Sequence, residues 1–192
     1  MKKALQLCLV AGLMVSPAIP LVANAVSTAT QSSAGSQRLQ EHIAREVRHE
    51  LVMLPQLTIF DNLAYKVDGD TVTLIGQVRN AVLKDEAESV VKKIEGVERV
   101  NNQIEILPAS FNDDRIRRRV ARAIFNDDRL FYYSLGSVPS IHIIVKNGHL
   151  SLEGVVNNQV DKNVAGIRAN GVSGVFSVEN NLRLEDSTQS KK

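Results

Sequence analysis

The chain has 192 residues with 23 Lys and Arg against 21 Asp and Glu, a formal charge of +2, and its one cysteine is Cys8. So small a net charge sets up no global field that would draw the protein to nucleic acid. One cysteine excludes an intramolecular disulfide framework and a site built from several thiolates.

Residues 1–25 read as an export signal. Lys2 and Lys3 make a short positive start, an apolar stretch follows over residues 4–15, and Pro17 and Pro20 break it. Ala23-Asn24-Ala25 supplies the small-x-small pattern of a cleavage site, which predicts cleavage after Ala25. The apolar stretch is too short for a permanent membrane span. Cys8 lies early within it rather than at its end, which argues against lipidation. Removing the signal takes away Lys2, Lys3 and Cys8, leaving 21 basic against 21 acidic residues and no cysteine nucleophile.

Residues 26–36 are rich in Ser, Thr, Ala and Gln and carry no charge, so a flexible leader is expected there. Leu39, Ile43, Val47 and Leu51 recur every four residues and predict a helix with Ser36 as its N-cap and Pro55 at its end. Leu63, Tyr65 and Val67, the turn Asp68-Gly69-Asp70, and then Val72, Leu74 and Gly76 predict a hairpin. Asn80 is placed to cap a second helix bearing Val82, Leu83, Ala87, Val90, Val91 and Ile94, which Gly96 would close. Val100, Ile104 and Ile106 predict a last strand, giving the order αββαβ.

The same order then repeats. Sliding the chain by 78 positions aligns residues 67–106 with 145–184 without a gap and matches Leu74/Leu152, Gly76/Gly154, Gly96/Gly174 and Asn102/Asn180. The second copy is expected to open with a helix over residues 111–130 starting at Asn112 or Asp113. A hairpin turning at Asn147-Gly148, a helix from Asn158 to Asn170 and a strand over residues 175–184 follow. Gly166 and Ala169-Asn170-Gly171 are expected to weaken that helix, and the polar tail 187–192 is expected to be disordered. The predicted class is α+β: two tandem modules, residues 37–108 and 111–186, each a small mixed three-stranded sheet packed on two helices. At roughly 70 residues, each is near the lower limit for an independent core. The modules are therefore expected to pack on each other or share a short rigid connection.

The strand Val72-Thr-Leu-Ile-Gly76-Gln-Val78 with Gly96-Val97-Glu-Arg-Val100-Asn-Asn102 resembles the BON domain. So does Leu150-Ser-Leu-Glu-Gly154-Val-Val156 with Gly174-Val175-Phe-Ser-Val178-Glu-Asn180. An exported chain carrying two such domains is similar to the OsmY-like periplasmic proteins. The resemblance implies an αββαβ sandwich, a periplasmic location, no catalysis, no cofactor, and association with phospholipid or envelope structures. It supplies no catalytic residue.

Gly76, Gly96, Gly154 and Gly174 are read as structural, marking a bulge or close backbone approach where a helix crosses the sheet. Asn102 and Asn180 are read as turn or strand-edge hydrogen-bonding residues. His42, His49, His142 and His149 lack a convincing third ligand and are expected in solvent. Phe-Asn-Asp-Asp-Arg occurs at 111–115 and 125–129, with the first carboxylate pair placed to start a helix and the second to end it.

Residues 37–108 hold 9 basic and 12 acidic residues, and residues 111–186 hold 10 and 9. Arg115, Arg118, Arg119 and Arg122 fall within about 100° of a helical wheel, with Phe125 at the edge and Arg117 outside. This arc is either a solvated face paired with acidic neighbours or a surface for anionic headgroups. Phe125, Phe131, Tyr132 and Tyr133 are either its interfacial aromatics or core. The leading reading is a non-enzymatic periplasmic protein that binds anionic phospholipid or another envelope component and supports osmotic-stress tolerance. The alternative is a periplasmic chaperone or protein-binding adaptor.

Overall fold

The computed structural model describes residues 25–135 and 139–185. The expected export signal up to Asn24 and the tail 187–192 lie outside the described residues. The chain divides into two units, residues 1–35 and 36–192, and both repeats lie within the second.

The expected leader is not irregular where it is described. Helix α1 runs Ala25–Val52, so residues 26–36 are helical and Ser36 is inside the helix rather than capping it. No proline interrupts this stretch, and a helix nucleated by the packed residues beyond it extends at small cost per residue. Ile43, Val47 and Leu51 of α1 are buried in the first core.

Strands β1 (Asn62–Asp68) and β2 (Thr71–Val78) form the antiparallel hairpin, turning at Gly69 with φ +62°. Helix α2 (Ala81–Val91) begins at Asn80, whose side-chain oxygen accepts the Val82 N–H at 3.0 Å. Strands β3 (Arg99–Asn102) and β4 (Glu105–Ile106) both run parallel to β2, so the expected last strand is interrupted. Asn102 sits at the break: its amide donates to the Lys84 carbonyl and to Glu88, and its oxygen accepts the Ile104 N–H.

The second module repeats this path with α3 (Phe111–Phe125), β5 (Ile141–Lys146), β6 (His149–Val156), α4 (Gln159–Asn170), β7 (Ser177–Asn180) and β8 (Arg183–Leu184). Its hairpin turns at Asn147 (φ 52°) and Gly148 (φ 81°), as Asn-Gly favours. Helix α3 is shorter than expected, ending at Phe125 before a 3-10 turn over Phe131–Ser134. Its N-cap is Ser110, whose hydroxyl accepts the Asp113 N–H at 3.2 Å, and not Asn112 or Asp113. Asp113 instead is buried and clamps the hairpin turn, accepting the Asn147 and Gly148 N–H groups at 2.9 Å each. Helix α4 keeps 12 residues against 11 in α2 despite Gly166. A Cβ at Gly166 would lie 2.8 Å from the Asn180 amide, which donates to the Lys162 carbonyl as Asn102 does to Lys84.

The repeated glycines serve two different close approaches. A Cβ at Gly76 or Gly154 would stand 2.0 Å from the Asn62 or Ser140 carbonyl oxygen, on the neighbouring chain segment rather than on a helix. The helix contact expected for all four belongs to the other pair. Gly96 faces Leu39 and Ile43 of α1, and Gly174 faces Ile116 of α3. Gly96 also lies beyond the end of α2, which closes at Lys92. The sheet-facing sides of the helices and the alternate residues of each hairpin make one core per module.

The modules meet at a turn, residues 58–61. The Ile143 N–H of edge strand β5 donates to the Ile59 carbonyl at 2.7 Å, and Ile59 and Phe60 pack on the second core. Arg79 lies over the Phe60 ring at 5.6 Å and 3.7 Å from Asp114, while Lys146 pairs with Glu105. His142 lies beside this turn and is not in solvent as expected; its Nδ1 is buried and has no hydrogen-bond partner among the described residues.

Candidate functional site

The outer face of α3 follows from its spacing. Ile116, Val120 and Ile124 take the side that reaches the sheet, which leaves Arg115, Arg118, Arg119 and Arg122 exposed on the opposite side. Arg115 donates to Asn112 at 2.7 Å, and Arg119 donates to the Ser173 carbonyl at 3.3 Å. Arg118 and Arg122 make no ion pair or side-chain hydrogen bond among the described residues. The expected pairing of this arc with acidic neighbours is therefore not formed there.

Arg117 has a different task. It is 2% exposed, pairs with Asp114 at 2.7 Å and donates to the Val145 carbonyl of β5, tying the helix to the sheet. Phe125 is half-buried against the second core. Tyr133 is buried, whereas Phe131 and Tyr132 are partly exposed. The aromatics thus divide between core and surface.

Phe111 was missed in the sequence reading. It is 97% exposed at the start of α3, and at about 100° per residue it falls within the arginine arc, between Arg118 and Arg122. The wheel itself held this signal, since it needs only the order of residues.

Helix α4 extends the face. Arg119 reaches Ser173 beyond the end of α4, and Arg168 of α4 pairs with Asp127 beyond the end of α3 at 2.7 Å, so the helices run antiparallel side by side. Arg168 holds the Asp127 carboxyl below the usual carboxylate range. Ile167 is 70% exposed on α4, and Phe176 just beyond it is 74% exposed. Compared at the repeat offset, Asp85, Glu86, Glu88 and Ser89 of α2 become Asn163, Val164, Gly166 and Ile167. The one carboxylate in α4, Asp161, is buried. It accepts from Tyr133 at 2.7 Å, Asn158 at 2.9 Å and Tyr132 at 3.3 Å, and pairs with Arg129 at 3.4 Å. Burial pushes the Tyr133 phenol well up from its ordinary value.

The first module lacks this character. The core matches Ile43/Ile116, Val47/Val120 and Leu51/Ile124 set His42, Arg45, Glu46 and His49 where α3 has Arg115, Arg118, Arg119 and Arg122. Its groove between α1 and α2 is lined by His42, Glu46, Glu50, Lys93 and Glu95 among others. Among the described residues no three His, Cys, Asp or Glu side chains converge to hold a metal ion. Nor is any described helix long and apolar enough to cross a membrane.

Comparison with known proteins agrees with this division into repeats. The model of the BON domain matches residues 40–108 and again 112–186. Osmotically-inducible protein Y of Escherichia coli (strain K12) is 29% identical over 133 residues, covering 65% of this chain and 62% of that protein. The outer membrane lipoprotein DolP of Haemophilus influenzae is 34% identical over 112 residues, covering 56% of this chain and 54% of that protein. The chain thus matches less than two thirds of either relative. CdsD, a structural protein of the type III secretion system of Chlamydia trachomatis, aligns over 74% of this chain and 92% of its own at 13% identity. Its TM-score of 0.31 is too low to carry an argument.

Proposed function

The chain belongs to the BON domain family, and on that premise we propose that it is a non-enzymatic envelope protein that adsorbs to anionic phospholipid through the helical layer of its second module. One observation carries the reading: Arg118 and Arg122 are exposed and unpaired among the described residues, beside the projecting Phe111. A cation near an anionic surface contributes about 1 kcal/mol, and an exposed aromatic ring adds apolar burial at the headgroup level. Clearing exposed carboxylates from α4 removes the repulsion such a surface would exert.

The sequence pattern of residues 1–25 supports export, and the family supports the periplasm as the compartment. The names of the two relatives, one osmotically inducible and one an outer membrane lipoprotein, support a role in the envelope under osmotic stress.

The test is co-sedimentation with vesicles of phosphatidylglycerol and of phosphatidylcholine at low salt. Binding to the anionic vesicles is expected, weakening as salt rises. It should be lost when Arg115, Arg118, Arg119 and Arg122 are all replaced by Gln. No binding to anionic vesicles at low salt overturns the lipid reading. Suppression of client aggregation without vesicle binding would put the chaperone or adaptor reading in its place.

A further inference from the structure

We infer that the outer edge of β1 is a binding site for an extended polypeptide segment carrying apolar side chains and carboxylates. The backbone of β1 points outward at every second residue. The Leu74 carbonyl of β2 accepts the Gln103 N–H at 2.8 Å, so the Leu74 backbone turns toward β3 and away from Tyr65, its partner on β1. Tyr65 therefore presents its N–H and C=O to the outer edge, and by alternation so do Leu63 and Val67. None of these backbone groups has a hydrogen-bond partner among the described residues.

The second module shows what such an edge takes up. At the repeat offset of 78 residues, Tyr65 corresponds to Ile143 and Val67 to Val145. The same alternation holds there, since the Leu152 carbonyl accepts the Asn181 N–H at 2.9 Å, but the outward groups of β5 find partners. The Ile143 N–H donates to the Ile59 carbonyl at 2.7 Å, and the Val145 carbonyl accepts from Arg117. The chain thus fills one of two equivalent edges with its own backbone, and the apolar Ile59 and Phe60 pack on the core beside it. The edge of β1 is the one that the described residues leave open.

Its surroundings set the chemistry of the occupant. A groove of about 730 Å³ runs beside residues 62–65, and Val52, which is 42% exposed, lines it from α1. Arg48 of α1 and Arg183 of β8 also line it, both exposed and without an ion pair among the described residues. Glu153 offsets one of these two charges and accepts the Asn181 side-chain amide. Backbone donors and acceptors repeating every two residues are matched by another extended backbone and not by a lipid headgroup. Side chains of an added strand alternate between its two faces, so apolar ones can meet Val52 while carboxylates meet the guanidinium groups. The site shares no residue with the exposed arginines of α3 and stands apart from lipid adsorption.

Amide NMR on the full chain tests this, with an acetylated and amidated heptapeptide alternating valine and glutamate as the probe, matched to the 7 residues of β1. With the peptide bound, the Tyr65 and Val67 amides are expected to gain about tenfold or more in protection from hydrogen exchange. The Ile143 amide should keep the protection it has without peptide. The double variant Arg48→Glu/Arg183→Glu should bind this peptide about fivefold more weakly, and a valine–lysine counterpart more tightly, than the wild type does. No gain at Tyr65 and Val67 with millimolar peptide overturns the inference. So does a gain at Ile143 in their place, or equal binding of the two peptides by the wild type. Protection of Tyr65 and Val67 that grows with protein concentration in the absence of peptide would also overturn it, assigning the edge to a second copy of the chain.

Discussion

The two modules share their interior and differ at their surface. Gly76 and Gly154, Leu74 and Leu152, Asn102 and Asn180 hold corresponding places in two cores of the same plan. The helical layer of the first carries Glu46, Asp85, Glu86 and Glu88, while that of the second carries Arg115, Arg118, Arg119 and Arg122 with Phe111 and Ile167 projecting. A duplicated fold needs the same buried residues twice. Its solvent face is under no such demand and is where the copies can part.

The strongest test of that shared interior is at the strand glycines. Gly76→Ala and Gly154→Ala each add a Cβ 2.0 Å from a carbonyl oxygen at φ near +120°. Each is expected to cost about 3 kcal/mol or more, read by denaturant unfolding, and to a similar extent in both modules. A tolerated alanine in one copy would break the equivalence.

Next in size is the tie between the first helix and the hairpin, which the copies make in opposite directions. In the first module Tyr65 of β1 donates its hydroxyl proton to the Ala44 carbonyl of α1 at 2.8 Å. In the second, Arg117 of α3 reaches the Val145 carbonyl of β5. Arg117→Ala is expected to cost about 3 kcal/mol, because it abandons Asp114 and a buried carbonyl. Tyr65→Phe should cost about 1 kcal/mol. Equal losses by thermal unfolding would erase that distinction.

The buried polar cluster found in the second copy alone should respond at an intermediate level. Asp161 stands where the first module has Leu83. Asp161→Ala is expected to cost about 2 kcal/mol by leaving Tyr133 and Asn158 short of an acceptor. It should also let Tyr133 ionise at lower pH, because a carboxylate that raises its pKa is gone, although burial, the larger cause, remains. Ultraviolet titration of tyrosinate reads this directly.

The smallest effect on stability is expected at the surface. Phe111→Ser and Arg118→Glu should each change stability by no more than about 0.5 kcal/mol while weakening association with anionic vesicles. A larger loss of stability would make these residues part of the scaffold after all.

Much of this was legible before any coordinates. A gapless offset of 78 residues, alternation in the strands and four-residue spacing in the helices determined two αββαβ modules. Local signals such as Asn80 and Asn147-Gly148 determined a cap and a turn, because each acts within a few residues of itself. The arginine arc was visible too, since a helical wheel needs only the order of residues. What sequence order could not determine was anything set by distant neighbours. Asp113 reads as a helix start and is a clamp on a turn more than thirty residues away. Arg117 reads only as lying outside the arginine arc, and it is buried against Asp114 and the strand carbonyl of Val145. His142 reads as solvent-exposed and is half-buried, because the turn of the other module packs on its strand. Periodicity reports which side of an element is apolar. Only the tertiary structure decides which polar group on that element meets a partner, since the partner comes from elsewhere in the chain.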